Sequence, residues 1–392
     1  VWSQTHFPKP MNDYMTGLLF GFLSKDFNQI GDIYSSLGII HLFALSGMQV
    51  NFFIDWFRRI ILRLGITREK LNIWQIPFSI FYAFMTGFSV SVLRALFQKN
   101  IRLNPLDNLA VTTFLLMIVS PKFLLTTGGQ LTLFYAFVIS MINHKISELK
   151  GIRKLLTESS VISLSVLPLL ILDFHIFQPF SILLTIGFGF LFDVILLPLL
   201  LGTFLLSLIG YNFNINHIFQ ILEWLIHEVD LPLHYPLVLG NPRPIELLIL
   251  FFLIGLLIDN LFKKRRQIIF AGLIVCSFFI CKNPVYPSIT AVDIGQGDSI
   301  FLQDKFNKKI ILIDTGGRLA LPQESWQKPQ SQTNAEKTLI PYLESVGVSQ
   351  IDQLILTHTD ADHVGDFLNL ADKIKIKEIW VSPGELTNNH FV

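Results

Sequence analysis

Long apolar runs separated by short polar or Pro/Gly-containing joints recur along the first 283 positions, near 37–57, 73–93, 108–125, 128–143, 158–177, 180–209, 245–262 and 267–283. Each approaches the roughly 20 residues an α-helix needs to cross a bilayer, so the pattern predicts a polytopic α-helical membrane domain of about seven to nine spans. The run at 180–209 carries Gly187, Gly189, Asp193 and Pro198, which allows two broken or re-entrant pieces in place of one straight helix. Residues 215–231 differ: Ile218, Ile221, Leu222, Leu225, Ile226 and Val229 recur at helical spacing, with Asn216, Gln220, Glu223, Glu228 and Asp230 on other faces. That is the pattern of an amphipathic helix, interfacial or lining a bundle.

After Pro284 and Pro287 the period shortens. Strands are expected at 288–293, 299–304, 309–314 and 353–357, with Gly295-Gln296-Gly297 as a tight turn. A Gln- and Ser-rich loop reaches about Thr333, followed by a helix over 334–346 with Asn334 as its cap. Strands alternating with helices indicate a layered α/β domain. The resulting division is a polar or amphipathic segment at 1–34, a membrane domain at 35–285 and an α/β domain at 286–392.

Composition sharpens the division. With 51% hydrophobic residues, 36 Phe and a mean hydropathy of +0.53, the chain is too apolar for an ordinary soluble protein. Residues 288–392 hold 14 acidic and 9 basic side chains of the chain's 29 and 30. The tail is therefore net acidic and the rest net basic. Cys276 and Cys281 share one apolar stretch and read as small buried hydrophobes, not a disulfide framework. Lys263-Lys264-Arg265-Arg266 lies between two strong apolar runs, so the positive-inside bias assigns it to the cytoplasm and the α/β domain to the opposite face. The chain opens on Val1 with no signal-like segment before about residue 35, which suggests that the native N-terminus lies further upstream.

The densest chemistry sits in Thr357-His358-Thr359-Asp360-Ala361-Asp362-His363-Val364-Gly365. Imidazoles suit Zn, Mn or Fe, and carboxylates add hard oxygen ligands. A loop at a strand end can aim His358 and Asp360 at one ion and Asp362 and His363 at a second. Two ions about 3.5–4 Å apart can stabilise both the attacking and the leaving oxygen of a phosphodiester displacement. Taken singly, each residue fits a capped surface loop better than a metal site. Four together, with Ile-Asp-Thr-Gly at 313–316, point to metal.

His-x-Asp-x-Asp-His resembles the His-x-His-x-Asp-His signature of the metallo-β-lactamase superfamily, with Asp360 in place of the second histidine, the form found in ComEC-like competence proteins. VDIGQGDSIFLQ (292–303) and ILIDTGG (311–317) resemble the opening strands of that αββα domain. HLFALSGMQV (41–50), FMTGFSVSVLRALF (84–97) and GGQLTLFYAF (128–137) are similar to the membrane domain of the same family. The resemblance implies metal ligation by His358, Asp360, Asp362 and His363, with Asp362 also placing the nucleophilic water, and two divalent ions, Mn or Zn. It implies supporting roles for Asp314, Asp293 and Asp298. It further implies uptake of single-stranded DNA through the cytoplasmic membrane during transformation, with degradation of the other strand, a DNA-receptor protein and a helicase-like motor as partners. No basic stripe with interleaved aromatics of the kind that tracks single-stranded DNA is visible, so the DNA assignment comes from the resemblance. The family's later Asp and His ligands lie beyond Val392, so this chain alone is expected to bind metal poorly and hydrolyse little.

Within the membrane domain, Arg94 sits in an apolar setting where an ionisable group is costly unless it faces protein or water. His41, Ser46, Gly47 and Gln49 cluster as on a packed or pathway-lining face. Two rival readings remain: a membrane-anchored metallo-hydrolase of a non-DNA substrate, and a solute transporter with a vestigial hydrolase domain.

Overall fold

The computed structural model describes residues 2–23, 28–43, 45, 47–211, 213–233, 235–295, 297–317 and 333–383. The chain divides into two units, Val1–Val166 with Gln178–Tyr235, and Leu167–Phe177 with Pro236–Val392.

The first unit is helical. Its core gathers Met11, Tyr14, Met15 and Leu18 with Tyr34, Phe43, Val50, Ile54, Phe192, Leu200 and Phe219. Phe7, Met11, Tyr14, Met15, Leu18, Leu19 and Tyr34 of the segment 1–34 thus pack into the same core as the helices that follow, while Trp2, Phe22 and Leu23 are exposed. At the centre the Tyr14 and Tyr34 hydroxyls are 2.9 Å apart, so each buried phenol has a polar partner.

Several helices invert the soluble pattern. In Leu71–Met85 the buried side chains include Gln75 and Ser79, while Trp74, Ile80, Phe81 and Phe84 are exposed. The polar groups meet inside: Gln75 donates to Asn100 Oδ1 at 2.9 Å, and Asn100 donates to Ser79 Oγ at 3.1 Å. Pro105–Val119 repeats the arrangement, with Asn108 and Thr112 buried and Phe114 and Ile118 outward. An outward apolar face over an inward polar one matches a hydrocarbon solvent, where buried polar side chains bond across helices.

Two helices among the described residues, Gly151–Phe174 and Ser181–Leu208, are long and apolar enough to cross a membrane. Elsewhere the apolar runs and the helices differ in their bounds. The run at 37–57 turns through Ile40–Leu42 before a helix begins at Gly47 and continues to Arg63. The run at 73–93 breaks where Gly87 and Phe88 take positive φ, 63° and 54°, and the Phe88 N–H bonds to the Ala83 carbonyl at 2.8 Å. A second helix, Val90–Asn100, follows. The run at 180–209 is one helix and not two pieces: a wider turn at Leu191–Leu196, carrying Asp193, is inserted without interrupting it. A helix forms over Asn216–Leu233, but it buries Phe219, Leu222 and Ile226, while Ile218, Ile221 and Leu225 of the expected apolar face are exposed.

In the second unit the helices Pro244–Asp259 and Lys264–Lys282 pack together. Cys276 is exposed and Cys281 partly so, both free, so the expected burial of the pair fails at Cys276, which shares its helix with exposed Val275 and Phe279. A five-stranded sheet follows in chain order, β1 (Ser288–Ala291), β2 (Ile300–Gln303), β3 (Ile310–Ile313), β4 (Gln350–Leu356) and β5 (Lys375–Val381). The first two pairings are antiparallel and the last two parallel. Leu339 and Leu343, from the helical segments Ala335–Leu339 and Ile340–Ser345, and Leu370 from Phe367–Lys373 meet Phe301, Leu312 and Leu354 of the sheet in one core. Asn334 makes no cap; the Thr333 hydroxyl accepts from Glu336 N at 3.3 Å while Glu336 accepts from Thr333 N at 3.0 Å, a reciprocal capping box one residue earlier.

The end of the helix Lys264–Lys282 is tied to this sheet. Asn307 Nδ2 donates to the Lys282 carbonyl at 3.0 Å, and Gln303 Nε2 donates to Asn307 Oδ1 at 2.7 Å and to the Val346 carbonyl at 3.0 Å.

Candidate metal centre

Strands β3 and β4 lie parallel in the register Ile313↔Ile355, so their carboxyl ends finish side by side. Open α/β sheets commonly build their sites at such strand ends. Asp314 leaves β3 with a φ of 58°, a left-handed backbone that Asp tolerates better than most residues. Its amide bonds to the Ile355 carbonyl at 2.8 Å. The carboxylate is turned inward, 4% exposed. There Oδ1 accepts from Thr357 N at 2.8 Å, and Oδ2 accepts from Thr357 Oγ1 at 2.6 Å and from His363 Nδ1 at 2.9 Å.

The loop beyond β4 makes one short helical turn, Ala361–Val364, and is held from below. Thr315 donates from its amide to the His363 carbonyl at 2.8 Å and from its hydroxyl at 3.1 Å. Asp366 accepts from Ala335 N at 2.7 Å. Two glycines permit the approach: a Cβ on Gly297, at φ +86°, would lie 1.8 Å from the Asp362 carbonyl oxygen, and one on Gly317 would lie 2.0 Å from that of Ala361.

The four loop side chains lie close together, and ligand atoms of His358, Asp360 and Asp362 fall within 4.8 Å of one another. His358 Nε2 is 3.8 Å from Asp360 Oδ2, and His363 Nε2 is 3.8 Å from Asp362 Oδ2. The two imidazole centroids are 3.6 Å apart. Donors of each pair are close enough to meet one ion at bond lengths of about 2.0–2.2 Å. Asp314, His358 and His363 also bring ligand atoms within 4.8 Å of one another. Because Asp314 already accepts three hydrogen bonds, its geometry suits holding ligands better than being one. Nδ1 of His363 faces Asp314 and Nδ1 of His358 faces Thr357 Oγ1 at 2.9 Å. Both Nε2 atoms are thus left for the cleft. Neutral imidazoles beside carboxylates are the donor set that a divalent cation selects, so the residues fit the ion.

Burial of His363 works against its charged form, but the hydrogen bond and charge of Asp314, with the charges of Asp362 and Asp298, hold its pKa above the ordinary histidine value. Asp298 therefore bears on the site electrostatically. Asp293 instead accepts from Gly295 N at 3.2 Å and shapes the turn. Thr357, Gly297 and Gly317 were not anticipated; Thr357, directly before His358 at a strand end, was the available signal.

In the helical unit, Gly47 and Arg94 come together: a Cβ on Gly47 would lie 3.1 Å from Arg94 Nη2. Arg94 donates from Nη1 to Gln98 Oε1 at 2.9 Å, and its buried Nε has no partner among the described residues. His41 Nε2 lies 3.4 Å from Thr185 Oγ1. Ser46 is outside the described residues.

Residues 18–264 match the competence protein family, and residues 292–390 match the metallo-β-lactamase superfamily. ComE operon protein 3 of Bacillus subtilis is 30% identical over 382 residues, covering 90% of this chain and 48% of that protein. Competence protein ComA of Neisseria gonorrhoeae is 24% identical over 364 residues, 85% of this chain and 48% of its own length. An uncharacterised protein, MG316 of Mycoplasma genitalium, is 27% identical over 187 residues, 46% of this chain and 48% of its own. The chain thus spans about half the length of these curated relatives. A match running through most of the helical region, followed in order by one over the sheet that carries the His358–His363 loop, shows that the chain belongs to the competence protein family.

Proposed function

We propose that this chain is the membrane and metal-centre portion of a DNA-uptake protein of natural transformation, passing single-stranded DNA inward while the metal centre cleaves the strand left outside. The observation that carries the reading is the convergence of Asp314 and His358–His363 at the adjacent ends of β3 and β4, on a chain whose helical part matches the competence family. The polar-inside, apolar-outside helices around Gln75, Ser79, Asn108 and Thr112 support a membrane body, read as about seven to nine spans within 35–285, after a segment at 1–34. The basic run Lys263–Arg266 supports an extracytoplasmic domain at 286–392.

Two divalent ions, Mn or Zn, would be held by His358 with Asp360 and by His363 with Asp362; when bound they supply an acidified water and positive charge for the departing oxygen. Asp362, beside His363 Nε2, orients that water. Asp314 fixes the ligands from beneath, and Asp293 and Asp298 shape and charge the rim. Gly47 and Arg94, with His41, line the proposed passage, where a guanidinium suits a phosphate backbone. A DNA-receptor protein outside and a helicase-like motor inside complete the system.

Deleting the gene should abolish transformation. Asp362→Ala in the chromosomal copy should lower transformation by duplex DNA by about tenfold or more, the scale at which metal sites respond to lost ligand support, and spare uptake of single-stranded DNA. Normal transformation after deletion would contradict the uptake role, and an Asp362→Ala strain indistinguishable from wild type with duplex DNA would contradict the cleavage role.

A further inference from the structure

We propose that Thr357 is a positioning residue: its hydroxyl carries the influence of Asp314 across to His358 and fixes which nitrogen of that imidazole is left bare for metal. The inference rests on the metal-centre reading above and adds to it the device that presents the second histidine.

The argument is a count of protons. The Asp314 carboxylate collects three donors, Thr357 N at 2.8 Å, Thr357 Oγ1 at 2.6 Å and His363 Nδ1 at 2.9 Å. A carboxylate has no hydrogen to give, and 2.6 Å is the length of a hydroxyl donating to a charged oxygen. The single hydrogen of Thr357 is therefore committed to Asp314. What the hydroxyl has left is acceptance, and the group 2.9 Å away is His358 Nδ1. That nitrogen must carry the hydrogen. A neutral imidazole protonated at Nδ1 has a bare Nε2, and this is the atom that faces Asp360 at 3.8 Å.

On the other side His363 reaches the same state by direct contact: Nδ1 gives its hydrogen to Asp314, and Nε2 faces Asp362. One buried carboxylate thus orders both imidazoles, the first through a hydroxyl and the second without an intermediary. Without the hydroxyl, the neighbour left to bias the His358 ring is the Asp360 carboxylate, 3.8 Å from Nε2, which draws the hydrogen to the nitrogen that the metal needs bare.

The test uses the whole chain in detergent micelles, labelled with ¹⁵N-histidine and stripped of metal, at alkaline pH where imidazoles are neutral. His358 is identified by the signal lost in His358→Gln. The expected result is Nδ1–H with bare Nε2 in the wild type and in Thr357→Ser. In Thr357→Val the Nδ1–H form should no longer dominate, and Mn²⁺ affinity should fall by about 10–100-fold, the usual effect of removing a partner of a ligating histidine. Thr357→Ser should stay within about threefold of wild type on that same scale. Nε2–H at His358 in the wild type would overturn the proposal, as would Thr357→Val with both the wild-type tautomer and the wild-type affinity. Should Thr357→Val fail to fold, the wild-type tautomer and Thr357→Ser decide. A wild type that binds no Mn²⁺ overturns the metal reading alone, since the tautomer is read without metal.

Discussion

Asp314→Ala is expected to destabilise the sheet domain by about 5 kcal/mol and to remove its divalent-metal binding. The substitution strands the amide and hydroxyl of Thr357 and Nδ1 of His363, all of which now bond to that carboxylate. Breaking a buried, hydrogen-bonded charge site by deleting one partner costs about 3–5 kcal/mol. Alanine at the left-handed φ of 58° adds about 1 kcal/mol. Asp314→Asn separates the two effects. It tolerates the backbone and keeps an acceptor for the Thr357 amide, so most of the fold should survive while metal binding weakens. Chemical denaturation monitored at Trp380 of β5, with a parallel metal titration, reads both. An Asp314→Ala chain as stable and as metal-competent as the wild type would remove Asp314 from the centre of the account.

Two glycines close in sequence but unlike in surroundings, Gly295 and Gly297, provide the second large effect. Gly295 and Gly297 both have positive φ, +83° and +86°, but a Cβ on Gly295 meets open space while one on Gly297 meets the Asp362 carbonyl at 1.8 Å. Gly295→Ala should lose only the left-handed backbone preference, about 1–2 kcal/mol. Gly297→Ala adds an overlap with backbone that no side-chain rotation relieves, for a total on the order of 3 kcal/mol. Because the displaced atom belongs to Asp362, metal affinity should fall in Gly297→Ala and hold in Gly295→Ala. Equal behaviour of the two variants would show that the 297 turn does not support the loop.

How much of this was legible in the sequence depended on distance along the chain. The loop His358–His363 declares itself because four candidate ligands fall within six residues. The contact that organises it, Asp314 to Thr357, spans 43 residues and follows from the register of β3 on β4, which no local pattern encodes. Apolar runs were read well as material and less well as elements. Hydropathy continues through Gly87 and Phe88, but the backbone there reverses to positive φ, so Arg94 falls inside the new helix Val90–Asn100 and not at the end of the preceding one. The cap at Thr333 was present as Thr-x-x-Glu, the capping-box spacing, and Asn334 was favoured by residue type alone. Strand β5 was missed because Lys375, Lys377 and Glu378 give this edge strand more charge than its buried neighbours, as edges commonly carry.

The most direct test of the central claim, that the His358–His363 loop over Asp314 is a divalent-metal centre, is a Mn²⁺ titration of the whole chain followed by electron paramagnetic resonance, alongside Asp362→Ala and His363→Ala. The ion must displace the proton of an imidazole whose pKa is raised by its acidic neighbours, so binding should weaken as pH falls through that raised value and recover above it. The account predicts weak Mn²⁺ binding by this chain with this pH dependence, and affinity reduced at least about tenfold further in both variants. Binding that is equal in all three chains, or indifferent to pH between about 5 and 8, would contradict it.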